Sequence, residues 1–244
     1  MTVKEYLIER MKKGTIHMAL IDPDKQPPEE AAAIAKRLKA AGTDAIMIGG
    51  STDITKEKLD ATALAIKKAA GLPTIYFPSG AVLSEHVDSI FFMSMINSDD
   101  LRFVIKEQIA ASIYIKKLGI EPISMGYIII EPGMKVGEVG KARVVKRNDH
   151  KAAIANALAA QYFGMSFVYL EAGSGADRPV PPEMIAAVKK EISVPLIVGG
   201  GIRRPEDAEA ARKAGADAIV TGTFIERCSD GSTLKAVVSA AKGV

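Results

Sequence analysis

The sequence nearly lacks several residue types. It has no tryptophan, one cysteine and three histidines, and only 5% of its 244 residues are aromatic. The single cysteine, Cys228, excludes an internal disulfide, and the histidines His17, His86 and His150 lie too far apart in sequence to form a metal-ligand motif. We therefore interpret all four side chains as structural.

Long apolar runs and strong net charge are also missing. No segment approaches the roughly 18 apolar residues of a membrane span, and the charged N-terminus lacks the apolar core of a signal peptide. The formal net charge is +3 and no long lysine or arginine tract occurs, so we predict no nucleic-acid partner. We expect the protein to be cytoplasmic.

The sequence does contain a regular alternation of apolar and helical segments. Eight short, nearly continuous apolar runs predict strands of a parallel sheet that is buried on both faces. Most of them are separated by Ala-, Lys- and Glu-rich stretches of helical period. This pattern predicts one domain, residues 1–244, folded as an α/β protein of the (β/α)8 TIM-barrel class. The predicted strands are Ile16–Ile21, Ala45–Ile48, Thr74–Phe77, Ile90–Met95, Met125–Ile130, Phe167–Leu170, Leu196–Val198 and Ala218–Val220. The predicted helices are Glu29–Ala41, Lys56–Ala70, Leu101–Leu118, Lys151–Phe163, Pro182–Lys190, Pro205–Ala214 and Ser232–Ala241.

The connection that should contain the third helix of the predicted barrel is very short. Only about a dozen residues, from Pro78 to Ser89, separate the third and fourth strands, and a full crossover needs at least that many. We therefore expect this helix to be modified, short or missing. A missing helix would open a groove that could hold a long hydrophobic ligand, whereas a short helix would not.

Three glycine-rich segments follow apolar runs in the last third of the chain, at Tyr169–Gly175, Val198–Arg203 and Val220–Thr223. Glycine lets backbone N–H groups approach an anion, and each following helix directs its positive N-terminal end to the same place. A phosphate site built from the last loops is typical of (β/α)8 barrels. We predict one phosphate cradle, whose main-chain donors belong to Gly173, Ser174, Gly175, Gly200, Gly201, Gly222 and Thr223.

A second group of polar residues follows the first two strands. Asp22 and Asp24 come at the end of the first strand, where the active face of a barrel forms. A carboxylate without histidine companions suits Mg²⁺, and we predict that Asp22 binds it, whereas Asp24 is also suited to a turn or helix cap. Gly49–Thr52 would supply N–H groups and hydroxyls beside that metal, with Ser51 as a predicted ligand. Two anion sites imply two phosphorylated substrates.

Tyr169 and Glu171 are two residues apart on the sixth predicted strand, so their side chains point to the same face. Glu171 immediately precedes the phosphate loop, where a carboxylate could orient a hydroxyl of a bound polyol and accept its proton. The alternative is a structural glutamate at a strand end. We predict that both residues are catalytic.

The stretch from Glu131 to His150 follows the fifth predicted strand and so lies on the active face. Loops of this length are usually functional lids or disordered. Its basic side chains could recruit a diphosphate or an anionic membrane surface, or they could simply be solvated. These basic residues are Lys135, Lys141, Arg143, Lys146 and Arg147.

The ordered set of motifs resembles the geranylgeranylglyceryl phosphate synthase family, which also includes the bacterial heptaprenylglyceryl phosphate synthases. The resemblance covers essentially the whole chain, and two segments are similar to those of the larger subgroup, whose members tend to be hexameric. Single motifs are weak, but their order is highly specific. The segments that carry the resemblance are Leu20–Lys25, Gly49–Thr52, Tyr76–Gly80, Phe91–Ser98, Gly126–Gly133, Tyr169–Gly175, Gly199–Arg203 and Thr221–Thr223.

The resemblance implies Mg²⁺-dependent prenyl transfer from a polyprenyl diphosphate, with geranylgeranyl diphosphate favoured, to the 3-hydroxyl of sn-glycerol 1-phosphate. This reaction forms the first ether bond of archaeal-type lipids. The prenyl chain would lie in the groove left by the third helix. The resemblance also implies a homo-oligomer, with a hexamer favoured, and allows peripheral contact with a membrane. The implied glycerol 1-phosphate site comprises Tyr169, Leu170, Glu171, Ala172, Gly173, Ser174, Gly175, Gly200, Gly201, Gly222 and Thr223.

Two other functions are compatible with the C-terminal motifs alone. The first is a phosphosugar isomerase or synthase on the same kind of barrel. Asp22, the second anion site and the short third connection argue against it. The second is a non-catalytic barrel that binds a phosphometabolite or a flavin. Glu171 beside the phosphate loop argues against pure binding, and a colourless protein would exclude bound flavin.

Overall fold

Eight parallel strands close into a barrel in the computed structural model, which describes residues 1–50, 54–227 and 230–244. Each strand pairs with the next along the chain, and the eighth pairs with the first to complete the ring. The strands are β1 (Ile16–Ile21), β2 (Ala45–Ile48), β3 (Thr74–Tyr76), β4 (Ser89–Met95), β5 (Glu121–Ile129), β6 (Phe167–Glu171), β7 (Leu196–Gly199) and β8 (Ala218–Thr221). The predicted (β/α)8 fold is confirmed. All eight predicted strands are present, although β5 begins earlier than predicted.

Successive side chains of each strand alternate between the barrel interior and the layer beneath the helices. On β1, Ile16 and Met18 pack inside the barrel, whereas Ala19 and Ile21 pack against the outer helices. Because both faces are buried, the strands need apolar residues at consecutive positions. This explains why the strands appear in the sequence as continuous apolar runs.

His17 lies on the outer face of β1 and is fully buried. Its Nδ1 is 3.0 Å from the hydroxyl of Thr43, and its Nε2 is 2.9 Å from the hydroxyl of Thr221. Burial lowers the pKa of the His17 ring to about 4, so the ring is neutral at pH 7. The structural interpretation of His17 is therefore confirmed. Cys228 lies outside the described residues.

The described helices mostly lie in an outer ring around the barrel. They are α1 (Val3–Met11), α2 (Pro28–Ala41), α3 (Lys56–Ala70), α4 (Glu107–Leu118), α5 (Met134–Val139), α6 (His150–Tyr162), α7 (Pro182–Glu191), α8 (Pro205–Lys213), α9 (Thr223–Arg227) and α10 (Gly231–Lys242). The start of the predicted helix from Leu101 to Leu118 is instead a π-helix, Arg102–Lys106. Three short helices, α1, α5 and α9, were not predicted. None of the described helices is long and apolar enough to cross a membrane.

The N-terminal end of the barrel is closed by α1. The N–H groups of Val3 and Lys4 donate hydrogen bonds to the Glu121 carboxylate at the start of β5, at 2.6 and 3.1 Å. Leu7 is fully buried in the interior cluster. The opposite, C-terminal end therefore remains open to ligands. It is the end at which (β/α)8 enzymes bind their substrates.

The connection between β3 and β4 forms no helix over residues 77–88. In the space where this helix would lie there is a groove of about 590 Å³, bounded by the connection, by β4 and by α4. The prediction of a missing third helix and an apolar groove is confirmed. Its lining is mostly apolar and includes Pro78, Ala81, Leu83, Ile90, Phe91, Phe92, Met93, Ala111, Tyr114, Ile115 and Leu118.

The connection after β5 folds against the barrel mouth. It contains α5 and pairs Ile130 with Val145 in an isolated bridge. The N–H of Gly133 donates to the carbonyl of Ala172 at 3.0 Å, which ties the connection to the start of the phosphate loop. The sequence analysis left open whether this stretch is a lid, and in the structure it forms a short helix and a bridge at the mouth.

Candidate active site

Glu171 ends β6 with its carboxylate buried at the C-terminal mouth of the barrel, where only 7% of the residue is exposed. One carboxylate oxygen accepts a hydrogen bond from the N–H of Gly173 at 2.7 Å. Burial raises the pKa of the Glu171 carboxyl, while hydrogen bonds with Tyr169, Gly173 and Tyr127 oppose the rise. A fixed carboxylate with a raised pKa is suited to accept a proton from a substrate.

Tyr127 and Tyr169 occupy paired positions on β5 and β6. Their rings pack edge to face with centroids 5.2 Å apart. Burial raises the pKa of both hydroxyls well above the usual range, so both are protonated and interact with Glu171. Tyr169 was predicted as a site residue and Tyr127 was missed. Only the register between the two strands shows that Tyr127 faces Glu171.

The three predicted glycine-rich segments meet beside Glu171. The hydroxyls of Ser174 and Thr223 are 2.8 Å apart, which joins the loops after β6 and β8. The main chain of Gly200 lies directly against the Glu171 carboxylate and the N–H of Gly173, so a Cβ atom there would overlap both. The loops therefore gather main-chain groups at one place. The N–H of Gly173, a predicted phosphate donor, is instead bonded to Glu171 in the structure. Positive φ angles, which favour glycine, occur at Gly173, Gly175, Gly200 and Gly201.

Arg203 fixes the phosphate loop from the side of β7. Its guanidinium donates to the carbonyl oxygens of Gly175 at 2.6 Å and Ala176 at 2.9 Å. These bonds hold the loop in one position relative to the loop after β7. The sequence analysis included Arg203 in a motif but assigned it no role, because no pattern shows where a long side chain will reach.

Two predicted substrate-binding residues, Leu170 and Ala172, direct their side chains away from the site. Both are fully buried in the outer core beneath α6 and α7. The alternation of β6 that directs Tyr169 and Glu171 inward directs these two outward. Ala172 also uses its N–H to bond the carbonyl of Gly199 at 3.1 Å. Leu170 and Ala172 therefore contribute to the site through their main-chain atoms.

Asp22 follows β1 at the rim of the barrel mouth, with 6% of the residue exposed. One carboxylate oxygen accepts the N–H of Asp24 at 3.1 Å, and the other lies 3.7 Å from Nζ of Lys25. The main chain of Gly50 lies against the same carboxylate, so any Cβ at that position would overlap it. The carboxylate is thus held between two loops at the mouth.

Asp24 forms an ion pair with Lys58 of α3 at 2.6 Å. Its side chain is therefore engaged away from Asp22. The predicted ligand Ser51 lies outside the described residues. Among residues 1–50, 54–227 and 230–244, no three acidic, histidine or cysteine side chains group as a metal cage. A single carboxylate fits a Mg²⁺ ion held mainly by substrate phosphates and water.

A (β/α)8 barrel with a main-chain cradle, a buried carboxylate beside it and an apolar groove defines a phosphate-binding barrel. A model of the PcrB family matches residues 7–241. The geranylgeranylglyceryl phosphate synthase of Thermococcus gammatolerans is 53% identical over 92% of this chain and 90% of its own length. That of Methanococcoides burtonii is 50% identical over 99% of this chain and 100% of its own.

A solved structure agrees with these sequence matches. The synthase of Thermoplasma acidophilum, in complex with its substrate sn-glycerol-1-phosphate, has a TM-score of 0.97 and 47% identity, with 100% of both chains covered. The chain belongs to the PcrB family and, within it, to the geranylgeranylglyceryl phosphate synthases. The predicted family is confirmed.

Proposed function

We propose that this chain joins the prenyl group of geranylgeranyl diphosphate to the 3-hydroxyl of sn-glycerol 1-phosphate and releases diphosphate. The observation that carries the proposal is the position of Glu171, beside a main-chain cradle and inside a barrel whose wall opens to an apolar groove. The cradle suits a phosphate, the carboxylate suits a hydroxyl, and the groove suits a hydrocarbon chain. Relatives that carry the name of this activity support it.

The cradle is the proposed site for the phosphate of glycerol 1-phosphate. Main-chain groups of three loops meet there, and the hydrogen bond between Ser174 and Thr223 joins two of them. Glu171 accepts a hydrogen bond from Gly173 of the cradle, and we therefore expect the hydroxyls of glycerol 1-phosphate bound there to lie within reach of its carboxylate. The related Thermoplasma acidophilum complex with sn-glycerol-1-phosphate supports this choice.

The groove beside α4 is the proposed site for the prenyl chain. Its volume of about 590 Å³ and its apolar lining suit a long hydrocarbon. Each Å² of apolar surface buried there contributes about 25 cal/mol to binding before the ordering costs are subtracted. Phe91 lines the groove and also packs in the barrel interior, so the groove reaches the wall of the reaction chamber.

Mg²⁺ is the proposed cofactor, with Asp22 as the ligand from the described part of the chain and Ser51 as a further predicted ligand. When bound, Mg²⁺ would neutralise charge on the departing diphosphate. The chain's own residues orient the acceptor hydroxyl and take up its proton. Glu171 orients the 3-hydroxyl and accepts its proton, Tyr127 and Tyr169 hold the carboxylate in place, and the buried setting limits access of water.

The proposal is tested by incubating the protein with Mg²⁺, sn-glycerol 1-phosphate and diphosphates of graded prenyl length, and identifying products by mass. We expect the prenylglyceryl phosphate ether, with geranylgeranyl diphosphate preferred. The Glu171→Gln variant is the matched control, and its kcat should fall roughly 10²- to 10⁴-fold. Conversion of a phosphosugar without ether formation would instead support an isomerase.

We also infer that the chain forms a homo-oligomer, with a hexamer as the favoured state. Ile109 and Ile113 are 65% and 63% exposed on α4, an unusually apolar surface for a helix in contact with water. Light scattering should give a mass several times that of one chain. The double variant Ile109→Lys, Ile113→Lys should shift it to smaller species, and a monomeric unaltered protein would contradict the inference.

A cytoplasmic location and peripheral contact with a membrane remain proposals. Met134 and Val139 are exposed on α5, next to the basic residues Lys135 and Lys146 of the same connection. Apolar and basic side chains together favour an anionic lipid surface. Salt-sensitive co-sedimentation with anionic vesicles would support the contact, and equal recovery with neutral vesicles would argue against it.

A further inference from the structure

Phe77 follows β3 at the mouth of the barrel and is only half-buried. Its main chain is fixed, because its N–H donates to the carbonyl of Ile48 at 2.8 Å and Gly49 packs directly against it. Its ring has three aromatic neighbours, with centroids 5.5 Å from Tyr127, 6.2 Å from Tyr169 and 6.4 Å from Phe91. The chain has few aromatic residues, so their concentration here needs an explanation.

The neighbours of Phe77 belong to both of the proposed substrate sites. Phe91, a ring neighbour, and Pro78, the next residue in sequence, line the apolar groove. Tyr127 and Tyr169, its other ring neighbours, interact with the Glu171 carboxylate. A prenyl chain that lies in the groove and reacts at a hydroxyl held by Glu171 must therefore place its reacting carbon close to Phe77.

We propose that the ring of Phe77 stabilises the positive charge that develops on the allylic carbon of the prenyl donor, through a cation–π interaction. The inference rests on the proposed function. In this step the bond between the allylic carbon and the diphosphate oxygen breaks, and its electron pair leaves with the diphosphate. The hydroxyl oxygen of glycerol 1-phosphate forms the new bond, and its proton passes to Glu171.

The chemistry of the surrounding groups favours phenylalanine at this position. An aromatic face attracts a cation, whereas a phenylalanine ring has no oxygen that could capture the allylic carbon. The two neighbouring hydroxyls, those of Tyr127 and Tyr169, interact with Glu171 and are kept protonated by burial. Neither therefore presents a phenolate to the cation.

The experiment replaces Phe77 by phenylalanines with one, two and three ring fluorines, which weaken the attraction for a cation while nearly preserving shape. Single-turnover rates are measured so that product release does not mask the chemical step. We expect the rate to fall progressively, by about 2- to 30-fold at three fluorines, with the affinity for glycerol 1-phosphate unchanged. The matched control is the same series at Phe167 at the start of β6, whose ring centroid is 6.5 Å from that of Phe91 inside the barrel. Phe167 does not line the groove, and this series should show no trend.

A flat series at Phe77, or an equal trend at Phe167, would overturn the inference. The Phe77→Leu variant serves as a second measurement, because it keeps an apolar side chain but removes the ring. Its rate should fall at least as far as that of the trifluoro variant. If the unaltered protein forms no ether, the proposed function fails; if it does and the series is flat, only the role of Phe77 fails.

Discussion

At the scale of single residues, the hydrogen bonds around Glu171 determine the pH range in which it can act as a base. Burial raises the pKa of the carboxyl, and hydrogen bonds from Tyr169, Gly173 and Tyr127 lower it. Only the ionised form accepts a proton, so activity should be lost as the pH falls through this pKa. The acidic limb of the pH profile should therefore lie above that of an ordinary glutamate.

Removing one of these hydrogen bonds gives a directional prediction. Tyr127→Phe deletes a donor that favours the charged carboxylate, so the pKa of Glu171 should rise further. The acidic limb of the kcat/KM profile should move to higher pH by about 0.4 to 1 unit. Tyr162→Phe, on the exposed end of α6, is the control and should not move it. A shift to lower pH in Tyr127→Phe would show that Glu171 does not set this limb.

Asp22 and Asp24 at the barrel rim allow the proposed Mg²⁺ site to be tested with a matched pair of variants. Asp22→Asn keeps size and the hydrogen bond from Asp24 but loses the charge, so turnover should fall more than about 100-fold and require more Mg²⁺. Binding of glycerol 1-phosphate should be nearly unchanged. Asp24→Asn breaks only the ion pair with Lys58, and its activity should stay within a few-fold of the original. Near-normal activity of Asp22→Asn at limiting Mg²⁺ would remove Asp22 from the metal site.

Asp22 and Glu171 could be predicted from the sequence because the position of each is determined by one strand alone. Asp22 directly follows β1 and Glu171 ends β6, and both strands are visible as apolar runs. Chemistry is expected at the end of a barrel strand. Tyr127 and Arg203 were missed because their roles depend on how neighbouring strands and loops align. That alignment is determined by packing across the barrel and produces no local pattern in the sequence.

At the scale of elements, the phosphate cradle depends on loops that hold each other. Arg203 links the loop after β7 to the carbonyls of Gly175 and Ala176. Arg203→Ala should loosen this loop and raise the Kd for glycerol 1-phosphate roughly 10-fold, as measured by calorimetry. The neighbouring Arg204→Ala breaks only a surface ion pair with Asp207 and should leave Kd unchanged. Equal affinities in both variants would mean that the clamp does not shape the site.

The proposed role of the groove in binding the prenyl chain can be tested by placing a larger side chain in it. Ala111 lines it from α4, so Ala111→Phe should reduce kcat/KM for geranylgeranyl diphosphate by about 10-fold or more while geranyl diphosphate is still used. Ser112→Phe adds bulk at an exposed position of the same helix outside the groove, and kcat/KM for both diphosphates should stay unchanged. An unchanged preference in Ala111→Phe, measured with both diphosphates in competition, would place the prenyl chain elsewhere.

The missing third helix could be predicted because it depends on chain length, and about a dozen residues barely suffice for a crossover. By contrast, α5 could not be predicted. It has six residues and begins after Gly133, whose positive φ angle turns the chain onto Ile129 and Val144. Such a helix is stabilised by tertiary packing and has no periodic pattern of its own.

At the scale of the whole molecule, the barrel is closed at its N-terminal end, carries the cradle at its C-terminal end and has the groove in its wall beside β4 and α4. α1 fills the N-terminal end, and the fully buried Leu7 packs against the interior. The cradle contacts Glu171 through Gly173, and Phe91 of the groove lining also packs in the barrel interior. The central claim is therefore a single reaction in which the oxygen of a bound phosphopolyol attacks a bound prenyl donor.

The most direct test of this claim follows the oxygen atom. The protein is given Mg²⁺, geranylgeranyl diphosphate and sn-glycerol 1-phosphate labelled with heavy oxygen at the 3-hydroxyl, and the products are identified by mass spectrometry. We predict that the label appears in the ether product and none in the released diphosphate. Label in the diphosphate, or release of diphosphate with no ether product, would contradict the account.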